Sequence, residues 1–167
     1  MTRAFALTAT AIVLIALGAT GAVVLRSAQS RAAPAPLLPW TDSEIVARGE
    51  VLYEAQCTAC HGSLAATAPV QETSAPPHDE NGHSWEHPDY ALFQLTKSGE
   101  VAELCRSVEG SDMPQFADAL TDRQIVDVLS YIKSTWPEET RQKQEAVNLL
   151  YATQNAAVRE IVARSGE

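Results

Sequence analysis

Cysteine is scarce in this chain, with three among 167 residues, and so is methionine, with two. Aromatic residues make up only 6% of the sequence, which is little for a domain that must build its core unaided. Positive charge is also short. Twelve Lys and Arg face 21 Asp and Glu, for a formal charge of −9. Three of the basic residues (Arg3, Arg26, Arg31) precede Trp40 and every acidic residue follows it, so the remainder carries 9 − 21 = −12. Nucleic-acid binding needs a basic surface, and this composition excludes it. An acidic surface suits solubility and partners with positive patches.

The scarce cysteines are not scattered. Two of them stand in Cys57-Thr58-Ala59-Cys60-His61. A structural zinc site needs a second Cys/His pair, and only Cys105 is left to supply one. A redox pair of the thioredoxin kind needs a βαβ setting, and no strand-rich pattern surrounds the motif. Cys-x-x-Cys-His is the attachment signature of c-type haem. Thiols about one helical turn apart reach both vinyl groups of one porphyrin, and the following imidazole faces the iron. The porphyrin also supplies the apolar plate that a core poor in aromatics lacks.

The length suits one domain with appendages. Residues 1–26 begin with a short positive start and continue as 22 uncharged residues, 4–25. As a helix these span about 33 Å, enough for the hydrocarbon of a bilayer. A cleaved secretory signal has a shorter apolar core, so Ser30-Arg31-Ala32 ranks second to an uncleaved transmembrane anchor. Residues 27–40 are rich in Pro and Ala and read as an extended stalk. Haem is attached outside the bacterial cytoplasm, which places the bulk of the chain in the periplasm.

Thr41-Asp42-Ser43-Glu44 reads as a capping box with Thr41 at the N-cap. Ile45, Gly49, Leu52, Tyr53 and Gln56 then fall at helical spacing and lead into Cys57. Gly49 in mid-helix costs about 1 kcal/mol relative to Ala, which points to close approach by another helix. Residues 63–88 read as a long loop holding His78, His83, Trp85 and His87. A short helix follows from 89 to about 98, with Leu92, Phe93, Leu95 and Thr96 facing inward. Residues 100–109 are ambiguous, 110–112 form a turn, and Met113-Pro114 is non-helical. Thr121 and Gln124 frame a second capping box, Ile125, Val128, Leu129 and Ile132 form a helical stripe, and Trp136-Pro137 closes that helix. Residues 138–164 read as one further helix with a thin stripe of Val147, Leu150, Tyr151, Gln154, Val158 and Ile161. It is either an arm docked on the domain or a surface for a partner helix.

Together, the haem motif after helix one, a Met-Pro pair some fifty residues later and a capped terminal helix resemble the class I cytochromes c. The resemblance covers Thr41 to Pro137, and 138–167 is an extension. The stretch from Pro76 to Asp89 is similar to a subgroup of membrane-anchored bacterial monohaem cytochromes, from which it departs at Glu86, where a second His is common. The resemblance implies an all-α wrap around one covalent haem c, with the first and last helices crossing at Gly49. It also implies haem thioethers on Cys57 and Cys60, His61 as proximal iron ligand and Met113 as distal ligand. Met113 is the only methionine besides Met1, and a thioether favours ferrous iron. If Met113 merely packs, the distal ligand falls to His78, His83 or His87. His83 and His87 have the spacing of a helical metal pair, though contacts to haem propionates or loop carbonyls rank above a second metal. Cys105 reads as buried and inert, ahead of a bridge between two chains.

The function this implies is single-electron transfer between redox partners, without catalysis, by a carrier tethered to the membrane. Two alternatives rank below it. One is a haem sensor or peroxidase-like protein with a labile Met113, and the other a haem subunit docked to a larger oxidoreductase through residues 138–167.

Overall fold

The computed structural model describes residues 35–65, 73–99 and 113–165. All of their regular structure is helical: α1 (Ser43–Gln56), α2 (Thr58–His61), a 3₁₀ turn (Ser84–Glu86), α3 (Asp89–Ser98), α4 (Asp122–Thr135), α5 (Glu138–Leu150) and α6 (Ala152–Arg164). Residues 4–25 and Cys105 lie outside the described residues. Among the described residues no helix is long and apolar enough to cross a membrane.

The crossing of α1 on α4 is the frame of the domain. Glycine at position 49 permits it: a Cβ there would stand 2.0 Å from the backbone oxygen of Asp127 and 2.8 Å from Cβ of Tyr131. No side chain fits that gap, so the helix-propensity cost of glycine is offset by backbone approach and dense packing. Arg48, the preceding residue on α1, clasps Asp127 with Nε at 2.8 Å from Oδ2 and Nη2 at 3.2 Å from Oδ1. Tyr53, Ile125, Val128, Leu129 and Ile132 are buried along the seam. At its start α1 is capped by Asp42, which accepts from the N–H groups of Glu44 and Ile45. The capping residue is therefore Asp42 and not Thr41. Both types cap well, and Asp42 lies one residue nearer the first turn. On α4 the capping box between Thr121 and Gln124 forms in full.

The C-terminal extension is two helices broken at Tyr151, not one. Its buried face coincides with the apolar stripe only at Val158. Leu150 is 80% exposed, Ile161 43% exposed, and Gln154 is exposed, whereas Thr140, Gln144, Asn148 and Asn155 are buried beside Val158. The reason lies at the start of α3. Pro88, its N-cap residue, offers no capping side chain, which leaves the first N–H groups unsatisfied. The extension supplies the acceptors. Asp89 N–H donates to Oδ1 of Asn148 at 2.8 Å, and Tyr90 N–H donates to Oδ1 of Asn155 at 2.9 Å. Asn155 Nδ2 donates in turn to Asn148 Oδ1 at 3.0 Å.

Gln144 Nε2 bonds the Asp89 carboxylate at 2.8 Å and reaches the carbonyl of His87 at 3.3 Å. Lys133 of α4, 1% exposed, lies 3.3 Å from Asp89 and 3.6 Å from Glu145. Burial raises the Asp89 carboxyl above its ordinary range, against the opposing pull of Lys133, Asn148 and Gln144. Arg141 adds a third tie, donating to the carbonyls of Ser134 and Trp136 at the end of α4 and stacking 4.5 Å over Trp40. The arm is thus fastened to its own domain mainly by polar contacts. What it leaves exposed includes Leu149, Leu150 and Ile161.

Candidate functional site

The Cys-x-x-Cys-His motif sits where α1 ends. Cys57 is the junction residue, and the N–H groups of Cys60 and His61 bond back to its carbonyl at 3.2 and 3.0 Å, which winds the motif into the single turn α2. Both thiols are free of any disulfide. Cys57 is buried in the core cluster and Cys60 is exposed, so one thiol faces the packed interior and the other the surface. Burial, aided by nearby Cys60, pushes the Cys57 thiol up to about 11. After His61 the chain turns at Gly62, whose φ of 78° lies in the region that favours glycine. The buried Tyr53 hydroxyl fixes that turn by donating to the Gly62 carbonyl at 3.0 Å.

His61 is oriented by two neighbours from the loop that follows. Its Nδ1 lies 2.7 Å from the carbonyl oxygen of Pro76. A carbonyl only accepts, so Nδ1 carries the proton and Nε2 presents a lone pair. This is how protein metal centres set the tautomer of a ligating imidazole. The second neighbour is His78, whose ring stacks on that of His61 with centroids 3.8 Å apart and planes at 20°. A ligand opposite His61 must lie beyond Nε2, along the extension of the ring plane. His78 lies against the ring face instead, so the geometry argues against it as the distal ligand. Burial, with His61 and His83 nearby, lowers the His78 imidazole to about 3, so it is a neutral ring.

His83 and His87 meet edge to face with centroids 5.6 Å apart, on either side of the 3₁₀ turn. Trp85 between them donates its indole N–H to the Gly82 carbonyl at 3.0 Å. Burial lowers His87. Among the described residues no group of three or more His, Cys, Asp or Glu could hold a metal ion. Met113 stands in a non-helical stretch ahead of α4 and packs against the core cluster that contains Cys57. The stretch is held to the end of α3 by bonds from Phe116 N–H to the Thr96 carbonyl at 3.1 Å and from Ala117 N–H to that of Lys97 at 3.0 Å.

These residues fit a covalently held haem. Two free thiols lie on one turn, the imidazole after them has Nδ1 occupied and Nε2 available, and a thioether joins the same core. The domain is helical, its first and fourth helices cross at a glycine, and the haem-attachment signature lies on the turn at the end of the first. The chain belongs to the cytochrome c family: the family model "Cytochrome c" matches residues 46–136, or 91 of 167. It therefore carries covalently bound haem c, and the family's general activity is electron transfer. No curated protein and no solved structure matches the chain.

Neither neighbour of His61 is legible in the sequence. Pro76 contributes only a backbone carbonyl, which no residue-type pattern reveals, and His78 approaches His61 across a loop without periodicity.

Proposed function

We propose that the protein is a periplasm-facing monohaem cytochrome that carries single electrons between redox partners and is tethered by residues 4–25 through the stalk at 27–40. In this reading Cys57 and Cys60 form the haem thioethers, His61 is the proximal iron ligand and Met113 the distal one. The bound haem supplies reversible one-electron exchange between Fe(II) and Fe(III). The observation that carries the reading is the His61 imidazole, with Nδ1 tied to the Pro76 carbonyl at 2.7 Å and Nε2 left to coordinate. Each chain group then does one thing. Cys57 and Cys60 would hold the porphyrin by its thioethers, the Pro76 carbonyl holds the proton on His61 Nδ1, and Met113 would supply the second iron ligand, a Met/His pair that raises the potential.

A closed site on both faces serves electron transfer because no ligand has to leave. A tether raises the effective concentration of the carrier near membrane-bound partners. The acidic surface suits a donor and acceptor that present positive patches. A partner contact through the extension would use Leu149, Leu150 and Ile161, since its other face is already packed on the domain.

The test is Met113→Ala in the holoprotein. Loss of the weak far-red absorption band that marks Met–iron ligation, with new binding of carbon monoxide, supports the assignment. A variant that keeps that band and stays closed to carbon monoxide overturns Met113 as a ligand.

A further inference from the structure

His78 has no assigned role, yet three parts of the domain converge to hold it. Trp136, 2% exposed at the end of α4, donates its indole N–H to the His78 carbonyl at 2.7 Å. Tyr53 of α1, fully buried, presents its ring edge-on with centroids 5.8 Å apart. The loop places the His78 ring flat on that of His61 at 3.8 Å. Its Nδ1 is buried without a hydrogen-bond partner among the described residues. A polar atom buried without a bond costs stability, so hydrogen bonding by Nδ1 does not explain why the ring sits there. The ring contacts that remain are the stack on His61 and the edge contact with Tyr53, and the stack is the closer.

A ligating imidazole can turn about the axis through Nε2 and the iron it would bind, and a hydrogen bond at Nδ1, which lies off that axis, restrains the turn from one point. The Pro76 carbonyl holds the ring at one atom. A flat neighbour against the ring face opposes rotation about that axis, because turning the imidazole drives its edge into the neighbour.

We propose that His78 is a positioning residue that fixes the rotational setting of the His61 imidazole over the haem by stacking on its face, with Trp136 and Tyr53 holding His78 in place. The inference rests on the reading of His61 as the proximal ligand. It concerns orientation alone, and His78 touches neither iron nor substrate.

The experiment is paramagnetic proton NMR of the ferric holoprotein, in which the order and spread of the four haem-methyl resonances follow the orientations of the axial ligands, the His61 imidazole among them. Two variants bracket the claim: His78→Leu fills much of the space but cannot stack, and His78→Phe stacks without polar atoms. The expected result is a changed methyl order or a compressed spread in His78→Leu and the native pattern in His78→Phe. A native pattern in His78→Leu overturns the proposal. If that variant does not accumulate with haem, a shifted pattern in His78→Phe overturns it and a native one supports it. The wild-type spectrum separates the two layers of inference. Ring protons of His61 without hyperfine shifts refute His61 as the ligand, whereas shifted His61 protons with an indifferent His78→Leu refute only the positioning role.

Discussion

Asn148→Ala tests how the extension is held. In the native chain the Asn148 side-chain oxygen accepts two donors, the N–H of Asp89 at 2.8 Å and Nδ2 of Asn155 at 3.0 Å. Asp89, Asn148 and Asn155 are all buried, so water does not readily replace the lost acceptor. Leaving a buried donor unsatisfied costs about 1–3 kcal/mol. Asn155 Nδ2 keeps a long bond of 3.4 Å to the Asn148 carbonyl, which softens the second loss. The expected total is therefore about 2–4 kcal/mol. For a domain of this size that lowers the melting temperature by roughly 6–15 °C. The assay is thermal unfolding of the holoprotein followed by far-ultraviolet circular dichroism, with Leu150→Ala as the control on the exposed side of the same helix. If both variants melt within about 2 °C of the native protein, trans-capping of α3 by the extension is refuted.

Gly49→Ala improves intrinsic helix propensity by about 1 kcal/mol but forces a methyl into a gap 2.0 Å from a backbone oxygen. We expect net destabilisation of about 1–3 kcal/mol in denaturant unfolding, and a variant more stable than the native protein would contradict the close crossing. Asp122 is held below the ordinary carboxylate range. Its burial acts the other way, but the Lys97 and Ser165 hydrogen bonds at 2.6 and 2.8 Å, with the Lys97 charge, outweigh it. A depressed carboxyl contributes stability above its unfolded value of about 3.9 and loses it as pH falls through the folded value. The stability gap between native protein and Asp122→Asn should therefore be full at neutral pH and close progressively below about pH 4, whereas a gap independent of pH would exclude the linkage.

Much of the frame was legible because local rules and tertiary packing agree. Ile125, Val128, Leu129 and Ile132 read as a buried helical face, Thr121 and Gln124 as its cap, and both are so in the structure. Gly49 was legible because an interior glycine needs a packing reason, and the crossing with α4 provides it. Thr41 was misread because two good capping residues stand side by side and the capping-box pattern favoured the wrong one. The extension was misread for a deeper reason. Apolar spacing assumes that the inward face meets a hydrophobic core, but here Asn148 and Asn155 meet unsatisfied backbone N–H groups at the start of α3, so amides go in and Leu150 stays out. In the site, the motif showed the covalent attachment, while the Pro76 and His78 contacts to His61 depend on how a loop folds back. Such contacts are set by tertiary geometry and leave little trace in residue order.

The central claim is a haem closed on both faces that exchanges one electron reversibly. The most direct measurement is a spectrally monitored potentiometric titration of the holoprotein, repeated under carbon monoxide. The account predicts one reversible wave with a one-electron slope of about 59 mV per decade, low-spin spectra in both oxidation states, and the same midpoint with or without carbon monoxide. A high-spin ferric form, together with a midpoint displaced by carbon monoxide, would contradict it and identify an open axial position.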